Sequence, residues 1–385
     1  MSRYQILHSL LHFLCFFLGA GIGSFLNVVI YRLPRGISVN NPRRSFCPAC
    51  HDQIPWYRNI PVMSWLLLRG RCANCGASIS VRYLGVELLT GLLFYGIFWK
   101  MGGDWSQITV WGPQVLMLWI FASLLVAGSF IDIDHYILPH EITLGGTAIG
   151  LIGAIFIPTM MQETSPLRGG MMSLASAALG LGGLWVVVEL GKLAFGRRRL
   201  RYDTPTPWSV TQPDDKEPPI VTLGEETTGW ADIFSRASDR MIITAPVLAV
   251  NERAYENVSA ELWMEKLKVR QPDGKLDEFA LESVTFLQGT TTHIVIPREA
   301  MGFGDVLLLM MIGSFTGWQC VLFTVLAASV LGTLIAGLSR LMGHSEWGQK
   351  IPFGPYLAAG ALIWVFSGPQ ILAWYLSLLH RGTYA

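Results

Sequence analysis

Hydrophobic positions gather into eight long runs, and polar positions into one long gap between the fifth and the sixth. A membrane-crossing helix needs roughly 20 mostly apolar residues, because a helix satisfies its own backbone hydrogen bonds inside hydrocarbon. The runs are His8–Ile30, Leu84–Met101, Val110–Ile131, Leu138–Met161, Met171–Phe195, Met301–Gln319, Cys320–Leu341 and Phe353–Leu379. The sixth is the least apolar at its start, where Asp305 interrupts it. The first is not expected to be a cleaved signal: only Arg3 precedes it as a charge, and it continues past any h-region into Arg32 and Arg35.

The gap from Arg197 to Arg298 breaks this pattern. Tyr202–Glu226 is rich in Pro, Thr and acids and reads as a linker. Ala231–Ala260 reads as partly helical. Leu267–Val269, Phe279–Leu287 and Thr291–Ile296 alternate or carry β-branched residues, with a turn signal at Pro272-Asp273-Gly274. The segment is expected to be a small β or α+β insert.

Composition agrees with a lipid bilayer as solvent. The chain is 51% hydrophobic and 14% charged, against about 25% charged in soluble domains. That excludes an ordinary soluble globule and a disordered chain. A net charge of +1 offers no field for nucleic acid. Arg32–Tyr83 holds eight arginines against one acid, Asp52, so the positive-inside rule makes it cytoplasmic and puts the N-terminus outside. Eight crossings then bring Asp132–His135, Arg197–Arg201 and Arg340–Lys350 inside as well. The loops Gly102–Thr109 and Gln162–Gly170 fall outside, with Arg168 as their one basic residue. His380 and Arg381 at the C-terminus run weakly against this.

The expected architecture is a polytopic α-helical membrane protein of about eight transmembrane helices. Residues 1–31 hold the first helix and 32–83 a cytoplasmic four-cysteine domain. Residues 84–196 hold helices two to five, 197–300 the cytoplasmic insert and 301–385 helices six to eight.

Two groups of residues carry candidate chemistry. Cys47-x-x-Cys50 and Cys72-x-x-Cys75, 21 residues apart, have the spacing of two zinc knuckles. Pro48 and Asn74-Cys75-Gly76 supply turn residues around them. Four protein ligands leave no open position, so the zinc is expected to be structural. Cys15 and Cys320 lie in apolar runs and read as small buried hydrophobes. The second group is carboxylates at the membrane face: Asp132-Ile133-Asp134-His135 ends the third run, and Gly302-Phe303-Gly304-Asp305 opens the sixth. Ionisable groups there are costly and point to function. Two acids from different helices at one depth suit aspartic proteolysis: one carboxylate activates water, and the other, protonated, polarises the scissile carbonyl. Gly302 and Gly304 allow close backbone approach beside Asp305. Asp134 reads first as a helix-end residue.

Rival protease chemistries fail on the sequence. His140-Glu141 begins a zinc-protease motif, but Leu144 stands where its second histidine belongs. Gly23-Ser24 is followed by Phe25-Leu26, which makes no nucleophile elbow.

The run Gly23-Ser24-Phe25-Leu26-Asn27-Val28-Val29-Ile30-Tyr31-Arg32-Leu33-Pro34, followed by the double CxxC loop, resembles the N-terminal half of bacterial prepilin peptidases. Asp132-Ile133-Asp134-His135-Tyr136-Ile137-Leu138-Pro139 and Gly302-Phe303-Gly304-Asp305 resemble that family's two aspartate motifs. The likeness covers about residues 15–196 and 298–375. It implies an eight-helix inner-membrane aspartic endopeptidase that removes the basic leader of type IV prepilins or type II secretion pseudopilins. It further implies N-methylation of the new N-terminus with S-adenosylmethionine. The family's first catalytic aspartate lies seven residues before the proline, which is Asp132; the second is Asp305, and Asp134 is the fallback for the first. No glycine-rich nucleotide loop is present, so methyl transfer rests on the resemblance.

Two departures stand out: His140 follows the proline where Asn or Asp is usual, and the insert of about 100 residues replaces a short loop. The insert could regulate access, or bind a pilus or secretion assembly partner. Its excess of acids complements a basic leader, and a merely tolerated loop insertion is the plainer reading. The competing function is a zinc-stabilised membrane scaffold or transporter-like protein without hydrolysis. It leaves the Gly-x-Gly-Asp context unexplained.

Overall fold

The computed structural model describes residues 3–42, 45–47, 49–102, 107–195, 197–212, 218–234, 239–297, 302–342 and 352–382. Arg43, Arg44, Pro48, Arg298, Met301 and most of the 340–350 loop lie outside them. The chain forms two compact units, Met1–Trp185 with Gly302–Ala385, and Val186–Met301.

The first unit is helical. It holds α1 (Arg3–Arg32), the short α2 (Met63–Leu67), α3 (Val81–Met101), α4 (Ile108–His135), α5 (His140–Phe156) and most of α6 (Pro166–Phe195). After the second unit, which contains the single-turn α7 (Trp230–Ile233), come α8 (Phe303–Thr316), α9 (Trp318–Leu341) and α10 (Gly354–Gly382). Among the described residues six helices are long and apolar enough to cross a membrane: α1, α3, α4, α6, α9 and α10. Two of the expected runs form shorter helices. The Leu138–Met161 run is a 17-residue helix closed by the 3-10 turn Pro158–Met161, and the Met301–Gln319 run is a 14-residue helix. Gly317, at φ 86°, ends α8 and starts α9.

Fourteen residues rise about 21 Å, short of the roughly 30 Å of a hydrocarbon core. Protein rather than lipid surrounds α8. Asp305–Leu309 and Met311–Phe315 are all buried, as in a helix that is apolar on every side. Gly146 and Gly150 of α5 face Met311 and Ser314, and Ser173 Oγ of α6 donates to Ser314 O at 2.7 Å. The long helices instead expose large apolar side chains such as Trp99, Leu116 and Leu326, an extent of apolar surface that water does not favour.

The second unit is an antiparallel sheet of eight strands: β1 (Arg197–Thr211), β2 (Ile220–Leu223), β3 (Glu226–Gly229), β4 (Arg240–Val250), β5 (Arg253–Trp263), β6 (Lys266–Arg270), β7 (Leu276–Ala280) and β8 (Leu287–Pro297). Their spatial order is β3-β2-β1-β8-β4-β5-β6-β7. Trp208, Met241, Ile243, Leu248, Leu262, Leu267 and Ile294 sit at the centre of its core.

This corrects the linker expectation, since the described part of Tyr202–Glu226 supplies most of β1 and all of β2. Prolines mislead there: the β1–β8 register shifts between Arg201 and Thr206, a bulge around Pro205. The described part of Ala231–Ala260 beyond α7 is also strand rather than partly helical, with β4 and β5 running from Arg240. Met241, Ile243 and Ala245 alternate inward, then the phase jumps to Leu248 and Val250 across Pro246. The facing strand jumps from Tyr255 to Val258 across Asn257, whose φ is 53°. Paired breaks of this kind hide period two behind a spacing of three. Phe279–Leu287 is not one strand: β7 ends at Ala280 and a 3-10 turn follows at Leu281–Ser283. The Pro272-Asp273-Gly274 turn joins β6 to β7, with Gly274 at φ 88°.

Ile243→Ala should destabilise the sheet by about 2–5 kcal/mol. The expected reading is lost hydrogen-exchange protection across β4, β5 and β8 in the full chain. Unchanged protection would show that Ile243 is not a core residue.

Candidate active site and metal centre

Asp132 lies in the last turn of α4. That helix is closed by Tyr136 in the left-handed region (φ 54°), whose N–H donates to Asp132 O at 2.9 Å. Pro139 then starts α5, and the turn between them buries Leu138. Asp305 is the third residue of α8. Gly302 caps that helix and accepts from the Asp305 N–H at 3.2 Å. Both aspartates are buried, 5% and 7% exposed.

Two contacts gather the end of α4 and the starts of α8 and α10. A Cβ at Gly304 would stand 2.9 Å from Leu138 Cβ, so only glycine allows α8 to start this close to the α4–α5 turn. The Gly354 N–H, at the start of α10, donates to Asp132 Oδ2 at 3.0 Å. A Cβ at Gly354 would come within 2.7 Å of that oxygen. Asp132 is thus held by a backbone donor, whereas Asp305 Oδ1 is buried with no hydrogen-bond partner among the described residues. Beside Gly302 there is room: an added Cβ would meet nothing closer than Asp305 Oδ2 at 3.8 Å. A buried, unpartnered carboxylate oxygen with open space alongside is a place for a proton or a water.

Asp134, two residues from Asp132, is engaged elsewhere. It forms an ion pair with Arg82 at the start of α3, and both side chains are about one-third exposed. Arg82 also donates to Phe130 O at 2.9 Å and lies 5.0 Å from the centroid of the Phe130 ring. The pair ties α3 to α4.

Gly354 is the site residue that sequence reasoning missed. Its signal is Pro352-Phe353-Gly354-Pro355 at the opening of the last apolar run. That pattern marks a helix start but says nothing of the aspartate it faces.

The four cysteines converge. Their sulfur atoms lie within 4.8 Å of one another and could hold a metal ion. A tetrahedral zinc with bonds of about 2.3 Å sets its sulfurs about 3.8 Å apart, and Cys47 Sγ and Cys75 Sγ are 3.8 Å apart. The two knuckles are built alike. In each, the residue four after the first cysteine donates to that cysteine's carbonyl, His51 to Cys47 at 2.8 Å and Gly76 to Cys72 at 2.9 Å. Both donors are left-handed, at φ 58° and 71°. Bridges Phe46–Gln53 and Arg71–Ser78 close the two loops, and Asn74 Nδ2 donates to Asp52 Oδ2 at 3.0 Å between them. The backbone N–H groups of Cys75 and Asn74 hold the Cys72 thiol down at about 6. Cys50 accepts from the Asp52 backbone, yet desolvation and the neighbouring thiols push it up to about 12. Thiolate, the ligand form, is thus favoured at Cys72. Cys15 and Cys320 are buried in helices away from this cluster.

Both groups of residues fall within stretches matched by family profiles. A profile described as the Bacterial Peptidase A24 N-terminal domain matches residues 17–101, which include all four cysteines. A profile described as the Type IV leader peptidase family matches residues 119–200 and 275–337, which include both aspartates. The unmatched stretch between them falls within the β unit. Similar proteins bear the name prepilin leader peptidase/N-methyltransferase. One from Stutzerimonas stutzeri is 30% identical over 93% of this chain and 91% of its own length. One from Pseudomonas aeruginosa is 28% identical over 97% and 96%. One from Myxococcus xanthus is 42% identical over 48% of this chain, a match that spans half of the relative. No solved structure matches the chain. The two profiles and the near full-length 30% relative show that this chain belongs to the type IV leader peptidase family.

Proposed function

We propose that this chain is a membrane aspartic endopeptidase of the bacterial inner membrane. It removes the basic leader of type IV prepilins or type II secretion pseudopilins at the cytoplasmic face and then N-methylates the new N-terminus. The observation that carries the reading is the buried Asp132–Asp305 pair, drawn from two helices and held by Leu138, Gly304 and Gly354. Asp132, which accepts the Gly354 N–H, is the ionised partner and takes a proton from a water. Asp305 holds its proton on the oxygen that lacks a partner and donates to the scissile carbonyl. Proton return to the leaving amine collapses the tetrahedral intermediate. The space beside Gly302 admits the extended substrate backbone.

Eight crossings, with α5 and α8 shielded by the longer helices, put the aspartates and the knuckles on the arginine-rich side. Zinc on Cys47, Cys50, Cys72 and Cys75 joins the two knuckles and takes no part in hydrolysis, since its four positions are filled. S-adenosylmethionine is the methyl donor, supported by the name that the relatives carry. The insert is the candidate surface for an assembly partner.

Asp132→Asn and Asp305→Asn should each lower leader cleavage by about 10²-fold or more, while Asp134→Asn stays active. Co-expression with a prepilin, read by mass, checks this. Cleavage by either of the first two variants would overturn the pair.

Gly354→Ala should lower kcat more than it raises KM, because the methyl group displaces Asp132 from its backbone donor. Steady-state kinetics on a prepilin in detergent make the comparison.

Purified protein should carry about one zinc per chain, lost when Cys47 and Cys72 become serine. Elemental analysis measures it, and metal-free wild type would sink the assignment.

A further inference from the structure

The two faces of the eight-stranded sheet differ in chemistry. Met241 and Ile243 of β4, Ala260 and Leu262 of β5, and Leu267 and Val269 of β6 are fully buried on the core side. Successive residues of a strand point to opposite faces, so the residues between these look outward. The strand register lines those outward positions up in rows. One row runs Arg199–Val295–Ile242–Glu261–Lys268, and the next Arg201–His293–Thr244–Ser259–Arg270, each across β1, β8, β4, β5 and β6. At the end of the face Arg240 stands opposite Trp263, and Lys266 opens β6.

This face is basic although the segment that carries it is not. Between residues 202 and 298 acids outnumber bases. The outward rows nevertheless collect Arg199, Arg201, Arg240, Lys266, Lys268 and Arg270 against the acids Glu261 and Glu278. Both acids are already paired, Glu261 with Arg240 at 3.3 Å, and Glu278 with Lys268 at 3.2 Å and Lys266 at 4.0 Å. Arg199, Arg201 and Arg270 are exposed and make no ion pair among the described residues. Trp263 lies between two cations, the Arg240 guanidinium 5.8 Å and Lys266 Nζ 5.2 Å from its ring. Asp239 and Glu265 border the face, whereas Glu252 and Asp273 occupy turns away from it.

The chain sets this end of the sheet at a bilayer surface. The apolar span of α6 runs to Lys192, and β1 starts at Arg197. The last turns of α6, from Val186, belong to the same unit as the sheet. At about 3.3 Å per residue, Arg201 lies within about 13 Å of the start of β1. A headgroup layer about 5–8 Å deep and a Debye length of about 8 Å beyond it cover that reach.

We propose that this face of the insert docks on the anionic phospholipid headgroups of the membrane that α6 crosses. The proposal goes beyond the peptidase reading and needs only that crossing. Guanidinium and ammonium groups bind phosphate oxygens, and tryptophan favours the membrane–water interface. A basic flank of a membrane helix would end within β1. The fold adds Lys266, Lys268 and Arg270, far later in the chain, to the same rows. Val295 and Ile242 between the two basic groups suit a lipid surface better than a nucleic acid.

The test uses the full chain in lipid nanodiscs of equal parts phosphatidylglycerol and phosphatidylcholine, with a photoreactive headgroup on one lipid or the other, and adducts mapped by mass. The anionic probe should label peptides holding residues 199–201 and 266–270 at least about fivefold more than the zwitterionic probe, the size of one basic residue near an anionic surface. High salt should remove the difference. Arg199→Gln, Arg201→Gln and Arg270→Gln together should lower anionic labelling about tenfold or more and leave zwitterionic labelling unchanged. Hydrogen-exchange protection of β4, β5 and β8 verifies folding. Glu278→Gln, which removes an acid from the face, should raise anionic labelling and guards against a misfolded triple variant. Equal labelling by the two probes would mean proximity without charge recognition. Adducts at 199–201 with none at 266–270 would leave only a basic helix flank. Unlabelled discs whose protein retains a single-stranded oligonucleotide would make the face a nucleic-acid surface. Each of these three results overturns the proposal.

Discussion

Asp132 and Asp305 are buried at the ends of apolar helices, where an ionisable group is costly unless it is paired or hydrogen-bonded. Much of the first unit answers that cost. The Gly354 N–H meets one oxygen of Asp132, and Leu138 and Gly304 draw the start of α8 against the α4–α5 turn. The oxygen left without a partner belongs to Asp305, on the short helix that protein surrounds on every side. Burial of α8 follows: a 14-residue helix facing lipid would expose its ends, whereas one enclosed by its neighbours need not match the bilayer. The proposed catalytic pair and the mismatch in helix length are therefore one feature seen from two sides.

The cysteine domain works by duplication. Each knuckle makes the same carbonyl bond, the same left-handed donor and the same closing bridge, 25 residues apart in sequence. Small domains of this size rarely fold on apolar burial alone, so a shared cation would provide what the core cannot. Asn27 Nδ2 ties the end of α1 to Tyr83 O at 3.0 Å, and the Val62–Glu87 bond ties α2 to α3. The knuckles are thereby anchored to two membrane helices and leave a cavity beneath them.

The β unit has its own core and its own register. That independence is why a long insertion between α6 and α8 leaves both aspartate motifs intact. Loop-closure entropy grows only slowly with length, and a segment that folds by itself adds little further constraint.

Periodicity in the sequence identified the apolar runs, the cysteine spacing and the two acidic motifs, because each is a local signal: a run length, a CxxC interval, a charge inside hydrocarbon. Local signals also explain the failures. Prolines in β1 imitate a linker, and the paired phase breaks at Pro246 and Asn257 conceal β4 and β5, since a bulge resets which face is inward without changing composition. That α5 and α8 are short was not legible, because apolar residues continue through the turns that end them. Asp132 and Asp134 are chemically alike and two residues apart, so spacing could not separate their surroundings. Only the packing of α10 and α3 against α4 did: the Gly354 N–H reaches one and Arg82 the other. Glu87 likewise reads as one acid in an apolar helix until the fold brings Val62 and Ser24 to it. Sequence determined which groups are present and which apolar run each one belongs to. Which carboxylate meets which partner is a long-range contact, across 222 residues for Asp132 and Gly354, and only the tertiary structure decides it.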